Sequence, residues 1–390
     1  MYAISRNRGR AVSALSGLLA LLALVAAFAF SAPTATAQEG RVKGWGLNNN
    51  LQLGDTGATG TRLRAAAVAG LTDSDVHSLA SGAFHSLALL SNGTVESWGR
   101  NAEGQLGVGT QSAYSVPGTV TGLRGVVAVA AGYQHSLALL SDGSVWAWGY
   151  NGYGQLGDNT TTLRTTPVVV SGLTNVVAIA AGNYHSLALR ADGTVWAWGY
   201  NGNGELGDGT TTSRSIPLPV TGLTNVRGIA AGGNHSLARL ADGTVRAWGY
   251  NAQGQLGDGT TTSRTTPVAV TGLTNVRDLA AGTSHSLALL GDGTVMGWGF
   301  NSSGQLGDGT TIQRTTPVAA LDLTNVRGIV AGSNHSVALT GDGRVRTAGS
   351  NTSGQLGDGT TTNRSIFLIS DTGLSSATLI AAGGDFSLAA

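Results

Sequence analysis

The chain has 390 residues, 22 Lys+Arg against 21 Asp+Glu, and 11% charged residues in all. So balanced a charge excludes a general nucleic-acid binder, which carries a basic face, and gives no strong pull toward anionic membranes. With 41% apolar residues, 61 glycines and no cysteine, the sequence is neither disordered nor a disulfide scaffold, and a packed core must hold it.

In chain order, residues 1–37 read as a secretory signal peptide. Arg6, Arg8 and Arg10 form a basic start, an apolar run follows from Ala11 to Phe30, and Ala35-Thr36-Ala37 offers a small-x-small cleavage site. Cleavage there makes Gln38 the new N-terminus. The alternative is an uncleaved membrane anchor, since the run is nearly long enough to span a bilayer. Either way the remainder is expected outside the cytosol, secreted or held at the cell surface. Removing the three arginines leaves the mature chain slightly acidic.

Residues 38–390 are a repeat array with units of about fifty residues, the range of propellers and solenoids. The phrase Ala-Gly-x-x-His-Ser-Leu carries His85, His135, His185, His235, His285 and His335. The phrase Trp-Gly-x-Asn-x-x-Gly-Gln-Leu-Gly carries Trp45, Trp98, Trp148, Trp198, Trp248 and Trp298, with Ala348 in the seventh slot. Residues 176–220 serve as a model unit. Val176 to Ala181 is a small apolar strand and His185 to Arg190 the next. Asp192-Gly193 is a hairpin signal, and Thr194 to Gly199 returns with alternating character. After a polar loop, Pro217 to Val220 gives a fourth strand suited to an outer edge.

The array begins and ends in mid-unit. Residues 39–46 match the second half of a unit and residues 380–389 the first half, with Phe386 in the histidine slot. Joined, they complete a seventh unit. A ring gains from this, because pairing the terminal strands leaves no free sheet edge. The reading is an all-β, seven-bladed β-propeller of four-stranded antiparallel blades, closed by its N-terminal and C-terminal half-repeats.

These repeated phrases resemble the RCC1-like family of seven-bladed propellers, over nearly everything after residue 38. The resemblance implies the same split-blade closure. It also implies candidate activities: guanine-nucleotide exchange on a small GTPase, and, among exported relatives with shorter repeats, β-lactamase inhibition.

One histidine per blade at one register places the histidines around a ring, too dispersed for a metal, so each is expected to tie backbone within its own blade. The tryptophans of the Trp-Gly phrase, Trp98, Trp148, Trp198, Trp248 and Trp298, are read as structural with them. The recurring Asp55, Asp158, Asp208, Asp258, Asp308 and Asp358 are expected to pair with Arg64, Arg164, Arg214, Arg264, Arg314 and Arg364 rather than hold calcium, which needs several carboxylates. No catalytic cluster and no nucleotide fingerprint stands out, so no enzyme activity, cofactor or metal is expected.

What varies between blades is aromatic. Phe84, Tyr133 and Tyr184 precede histidines on expected loops; Tyr150 and Tyr153 follow a Trp-Gly; Trp146 and Trp196 stand two residues before one. Beside polar residues these suit a protein-binding face, although the two tryptophans equally suit packing between blades. Arg246 is placed against Trp196 as a cation–π contact. The expected function is an exported, monomeric, non-enzymatic propeller binding a protein. A surface glycan is the alternative ligand and nucleotide exchange the alternative activity. No nucleic-acid partner is expected, and no membrane contact beyond an uncleaved anchor.

Overall fold

The computed structural model describes residues 42–55, 59–71, 76–374 and 376–390; the expected export segment, 1–37, lies outside these. They form seven four-stranded antiparallel sheets. We number the blades in chain order from the composite one. Blade 1 takes its inner strands, Ile380–Ala382 and Phe386–Ala389, from the C-terminus and its outer strands, Lys43–Leu47 and Thr61–Ala67, from the N-terminus. The two termini meet in register, Lys43 opposite Ala389 and Gly46 opposite Phe386. The innermost strands of neighbouring blades touch in a closed cycle, so the ring is complete.

Blade 4 shows why the sequence folds this way. Its strands are Val176–Ala181, His185–Arg190, Val195–Gly199 and Arg214–Pro219. In the hairpin between the second and third, Gly193 has φ 81°, and Asp192 Oδ1 accepts from Thr194 N at 3.0 Å and Thr194 Oγ1 at 2.7 Å. The fourth strand begins at Arg214, three residues before the expected Pro217, because Gly199 pairs with Arg214 while Ala197 pairs with Leu218. Pro217 falls inside that irregularity, where its missing N–H breaks no ladder bond.

Alternation along the third strand sends its two faces into different joints. Trp198 packs with Leu137, Val145 and Ala147 of blade 3; Val195 and Ala197 pack with Trp248 and Ala238 of blade 5. Each blade therefore buries its apolar residues against both neighbours, and no blade has a core of its own. Blade 7 carries Ala348 where the tryptophan belongs. Phe367, on its outermost strand and 2% exposed, lies against Gly307 as the tryptophans of other blades lie against Gly107, Gly157 and Gly257.

Each innermost strand of blades 2–7 also carries an irregularity at its second residue: His77, Val127, Val177, Arg227, Arg277 and Arg327. A bulge on an edge strand re-aims its side chain. These six positions mark the hairpin end of the channel.

Candidate functional site

The histidines are buried and form clasps between blades, not within them as expected. His135 Nε2 lies 3.0 Å from Ser186 Oγ of the next blade, His185 Nε2 3.0 Å from Ser236 Oγ, and His85 Nε2 2.9 Å from Ser136 Oγ. Ser186 Oγ spends its only proton on Gln155 O, which also accepts Trp198 Nε1 at 2.8 Å. The serine oxygen is therefore the acceptor, and the histidine is the neutral tautomer with its proton on Nε2. The chain reverses direction within one phrase. Histidine, serine and tryptophan thus sit on adjacent strands at one height, and a residue from each of two blades closes the bond.

Burial holds His85, His135, His235 and His285 at a pKa of about 3 and His185 and His335 at about 4. At neutral pH these rings carry no charge. Their Nδ1 atoms, in five of the six, are buried without a partner. The ring covers the glycine three residues upstream: a Cβ on Gly182 would collide with the His185 ring and reach 2.5 Å from Gly232 O. Gly182→Ala is expected to lower stability by about 1–3 kcal/mol, the usual cost of overpacking a core, read as a lower urea midpoint.

The Asp–Arg pairs close the outer loops: Asp158–Arg164 at 2.7 Å, Asp258–Arg264 and Asp308–Arg314 at 2.8 Å. Blade 1 departs from the expectation. Asp55 pairs with Arg62, whose Nε is 2.7 Å from Asp55 Oδ2, while Arg64 pairs with Asp371. In blade 3 Asn151 completes the loop, accepting Leu156 N at 2.9 Å and donating to Asp158 Oδ1 at 3.1 Å.

The side that carries the histidine loops also carries the loops after Trp-Gly, because Tyr150 N donates to Gln134 O and Tyr200 N to Tyr184 O. There the structure gathers the aromatic residues of blades 2–4. Phe84 and Tyr133 meet edge-on at 5.5 Å between centroids, and Tyr133 is 5.6 Å from Tyr184. Tyr184 in turn touches Tyr150 at 6.0 Å and Tyr153 at 5.4 Å. Tyr153 continues to Tyr200 at 5.0 Å. The result is an unbroken chain of six rings. Tyr153 is 40% exposed, and Tyr184 is half-buried; burial first, then the neighbouring tyrosines, raises its pKa. At the blade-2 end Arg100 and Glu103 form an ion pair at 3.1 Å. Tyr133 also sits on the axial opening, where its N–H donates to Asn183 O at 3.2 Å and Asn183 N donates to Gly233 O at 3.1 Å. A belt of backbone bonds between blades thus fixes this end.

Tyr200 extends the cluster beyond the residues expected from the sequence. The available signal was its shared slot with Tyr150 and the glycine two residues on: both rings fold over such a glycine, Gly152 and Gly202, where any Cβ would collide. Trp146 and Trp196 are not brought to this cluster. They stand near the opposite, hairpin end of their strands and pack against the joints between blades 2 and 3 and blades 3 and 4. Trp196 stacks with Arg190 of its own blade, 5.5 Å from the ring centroid, rather than with Arg246.

A family model for the RCC1-like domain matches residues 41–389. The chain belongs to the RCC1-like family. As such a propeller it is similar over 90% of its length to human WBSCR16, at 26% identity and TM-score 0.80, covering 99% of that chain. It is also similar to Prp20p from Saccharomyces cerevisiae, at 25% identity and TM-score 0.81, covering 97% of this chain and 94% of that one. Among curated proteins, human HERC2, an E3 ubiquitin-protein ligase, is 36% identical over 91 residues, 23% of this chain and 2% of that protein. The mitochondrial RCC1 domain-containing protein RUG3 of Arabidopsis thaliana is 35% identical over 89 residues, 23% of this chain and 20% of that one. The chain thus spans only a small part of these two curated relatives.

Proposed function

We propose that this RCC1-like propeller is an exported, non-enzymatic protein that binds another protein through the six-ring cluster. The observation that carries the reading is the contiguity of Phe84, Tyr133, Tyr184, Tyr150, Tyr153 and Tyr200 on one face of a rigid ring. Aromatic rings with polar tips and few rotatable bonds are the commonest anchors of protein interfaces. The ion pair Arg100–Glu103 gives the patch a polar rim. The histidines, neutral and locked in clasps, have no part in chemistry or metal binding under this reading. Trp146 and Trp196 serve the joints. Export rests on the basic start, apolar run and cleavage site of residues 1–37. N-terminal sequencing of the secreted protein should give Gln38.

The test is cross-linking of the secreted protein to extracellular and envelope extract of its host, beside a Phe84/Tyr133/Tyr184 triple-Ala variant. A specific partner captured by the wild type and lost by the variant is expected, with affinity down at least about 100-fold. Capture unchanged by the variant would place the binding face elsewhere. Titration on a glycan array, with the cluster variant inactive, would replace the protein with a sugar. Accelerated nucleotide release from small GTPases would replace the binder with an exchange factor.

A further inference from the structure

At the other end of the ring lies a second site, independent of the tyrosine cluster. A cavity of 550 Å³ opens among the hairpins of blades 2–4. Its floor is apolar, with Leu90, Val126, Leu140 and Val176, and the bulge residues His77, Val127 and Val177 project onto it. The volume falls within the roughly 300–1,000 Å³ of small-molecule sites.

The remaining bulge residues differ in kind. Where blades 2–4 carry His77, Val127 and Val177, blades 5–7 carry Arg227, Arg277 and Arg327 at the same register. Arg227 is exposed, and Arg277 and Arg327 are half-buried. Ring symmetry puts these six positions around one channel mouth. One half of the mouth is therefore an apolar pocket and the other an arc of arginines, of which Arg327 already donates Nη2 to the buried carbonyl of Ala377. Two carboxylates near the mouth are held by hydrogen bonds, and Asp142, which lines the cavity, keeps its charge. Asp142 closes its own hairpin by accepting from Ser144 N at 2.9 Å and Ser144 Oγ at 2.7 Å. Asp278, beside Arg277 and Arg239, is half-buried and accepts from Leu279 N at 2.9 Å. Repetition does not require this split, since the scaffold tolerates valine, histidine or arginine at the bulge.

The geometry points to a binding site for an elongated apolar molecule ending in an anionic oxygen head, its chain in the blade 2–4 cavity and its head on the arginine arc. A cationic or uncharged analogue would gain the apolar burial alone; the anion gains charge-assisted hydrogen bonds as well.

Calorimetric titration of the secreted protein with dodecanoate, dodecanol and dodecylammonium tests this. Dodecanoate is expected to bind saturably, one per chain, at least tenfold tighter than either analogue. Arg227→Gln combined with Arg277→Gln should remove most of that preference, and Val127→Gln should weaken all three ligands. An unchanged thermal midpoint certifies the fold of each variant, and the wild-type ligand series alone decides the matter where a variant does not fold. Absence of saturable binding, equal affinity for the three ligands, or dodecanoate binding indifferent to both folded variants would each overturn the proposal. Binding blocked in the uncleaved chain and restored on removal of residues 1–37 would assign the cavity to the chain's own apolar segment, and overturn it equally.

Discussion

Lowering the pH from 7 to 5 is expected to remove on the order of 5–10 kcal/mol from the stability of this propeller, which lowers its melting temperature by on the order of 10 °C. The six clasp histidines cause it. Each has an ordinary value of 6.5 when unfolded and is depressed to about 3 or about 4 when folded. Below pH 6.5 the unfolded chain takes up protons that the ring refuses, so stability is complete above that value and falls with pH down to the folded values. Each histidine costs about 1.4 kcal/mol per pH unit in that window. Asp278, raised by burial to about 6, works in the opposite sense, as do Glu205 and Asp385, and together they offset part of the loss. The paired aspartates of the outer loops, such as Asp158 and Asp258, are depressed below 3.8 and contribute only at lower pH. The structural reason is local: protonation must occur on an Nδ1 that packs over a glycine and, in five of the six, is buried without a hydrogen-bond partner. Urea midpoints at pH 7.5, 6.5 and 5.5, followed by the fluorescence of the buried tryptophans, check this, and a midpoint constant across the series would refute it. Blade 1 supplies the control: Phe386 stands where a histidine would, and Ser86 still donates to Gln52 O at 2.9 Å. His285→Phe should therefore fold and flatten the pH dependence by about 1.4 kcal/mol per unit.

The repeat made the ring legible before its coordinates. Period, split termini and hairpin signals are local properties of the sequence, and the strands follow them. What the repeat concealed is which copy meets which. Every unit but the composite one contains both His and Ser, so a bond from His135 to Ser186 and one within the blade look alike on paper. The same holds for Asp55, whose partner is Arg62 because Arg62 stands opposite Gly46 as Arg164 stands opposite Gly149. Strand direction was the second blind spot. Trp146 and Tyr150 lie four residues apart, so both count as variable aromatics of one blade. A strand advances about 3.3 Å per residue, however, which puts them at opposite faces of the ring. The cluster was legible as composition, while its extent to Tyr200 required seeing that one ring reaches across to the next blade. The arginine arc was hidden because a bulge residue breaks the very alternation by which strand faces are read.

Deletion of residues 380–390 is expected to do more damage than loss of one terminal unit in an open array. The segment supplies both inner strands of blade 1, and its Phe386, Leu388 and Ala381 pack with Val42, Leu53 and Trp98, while Ala389 packs with Trp45 and Val337. Two joints therefore lose their cores at once. Two outer strands remain as a ribbon too small to be stable alone, and the inner strand edges of blades 7 and 2 open to solvent. Loss of Phe386 and Leu388 alone costs about 5–10 kcal/mol, and with it the clasp from His335 to Ser387, now 2.9 Å. The truncated chain should melt on the order of 10 °C lower or associate through its exposed edges. Calorimetry and light scattering read both. A peptide of residues 376–390 added in trans should restore the transition by strand addition, because the gap it fills is bounded on both sides by preformed blades. A solenoid would show neither behaviour: its truncated end would simply become the new cap, with a loss confined to one unit. Full stability after truncation would mean that the ring does not depend on pairing Lys43–Leu47 with Phe386–Ala389.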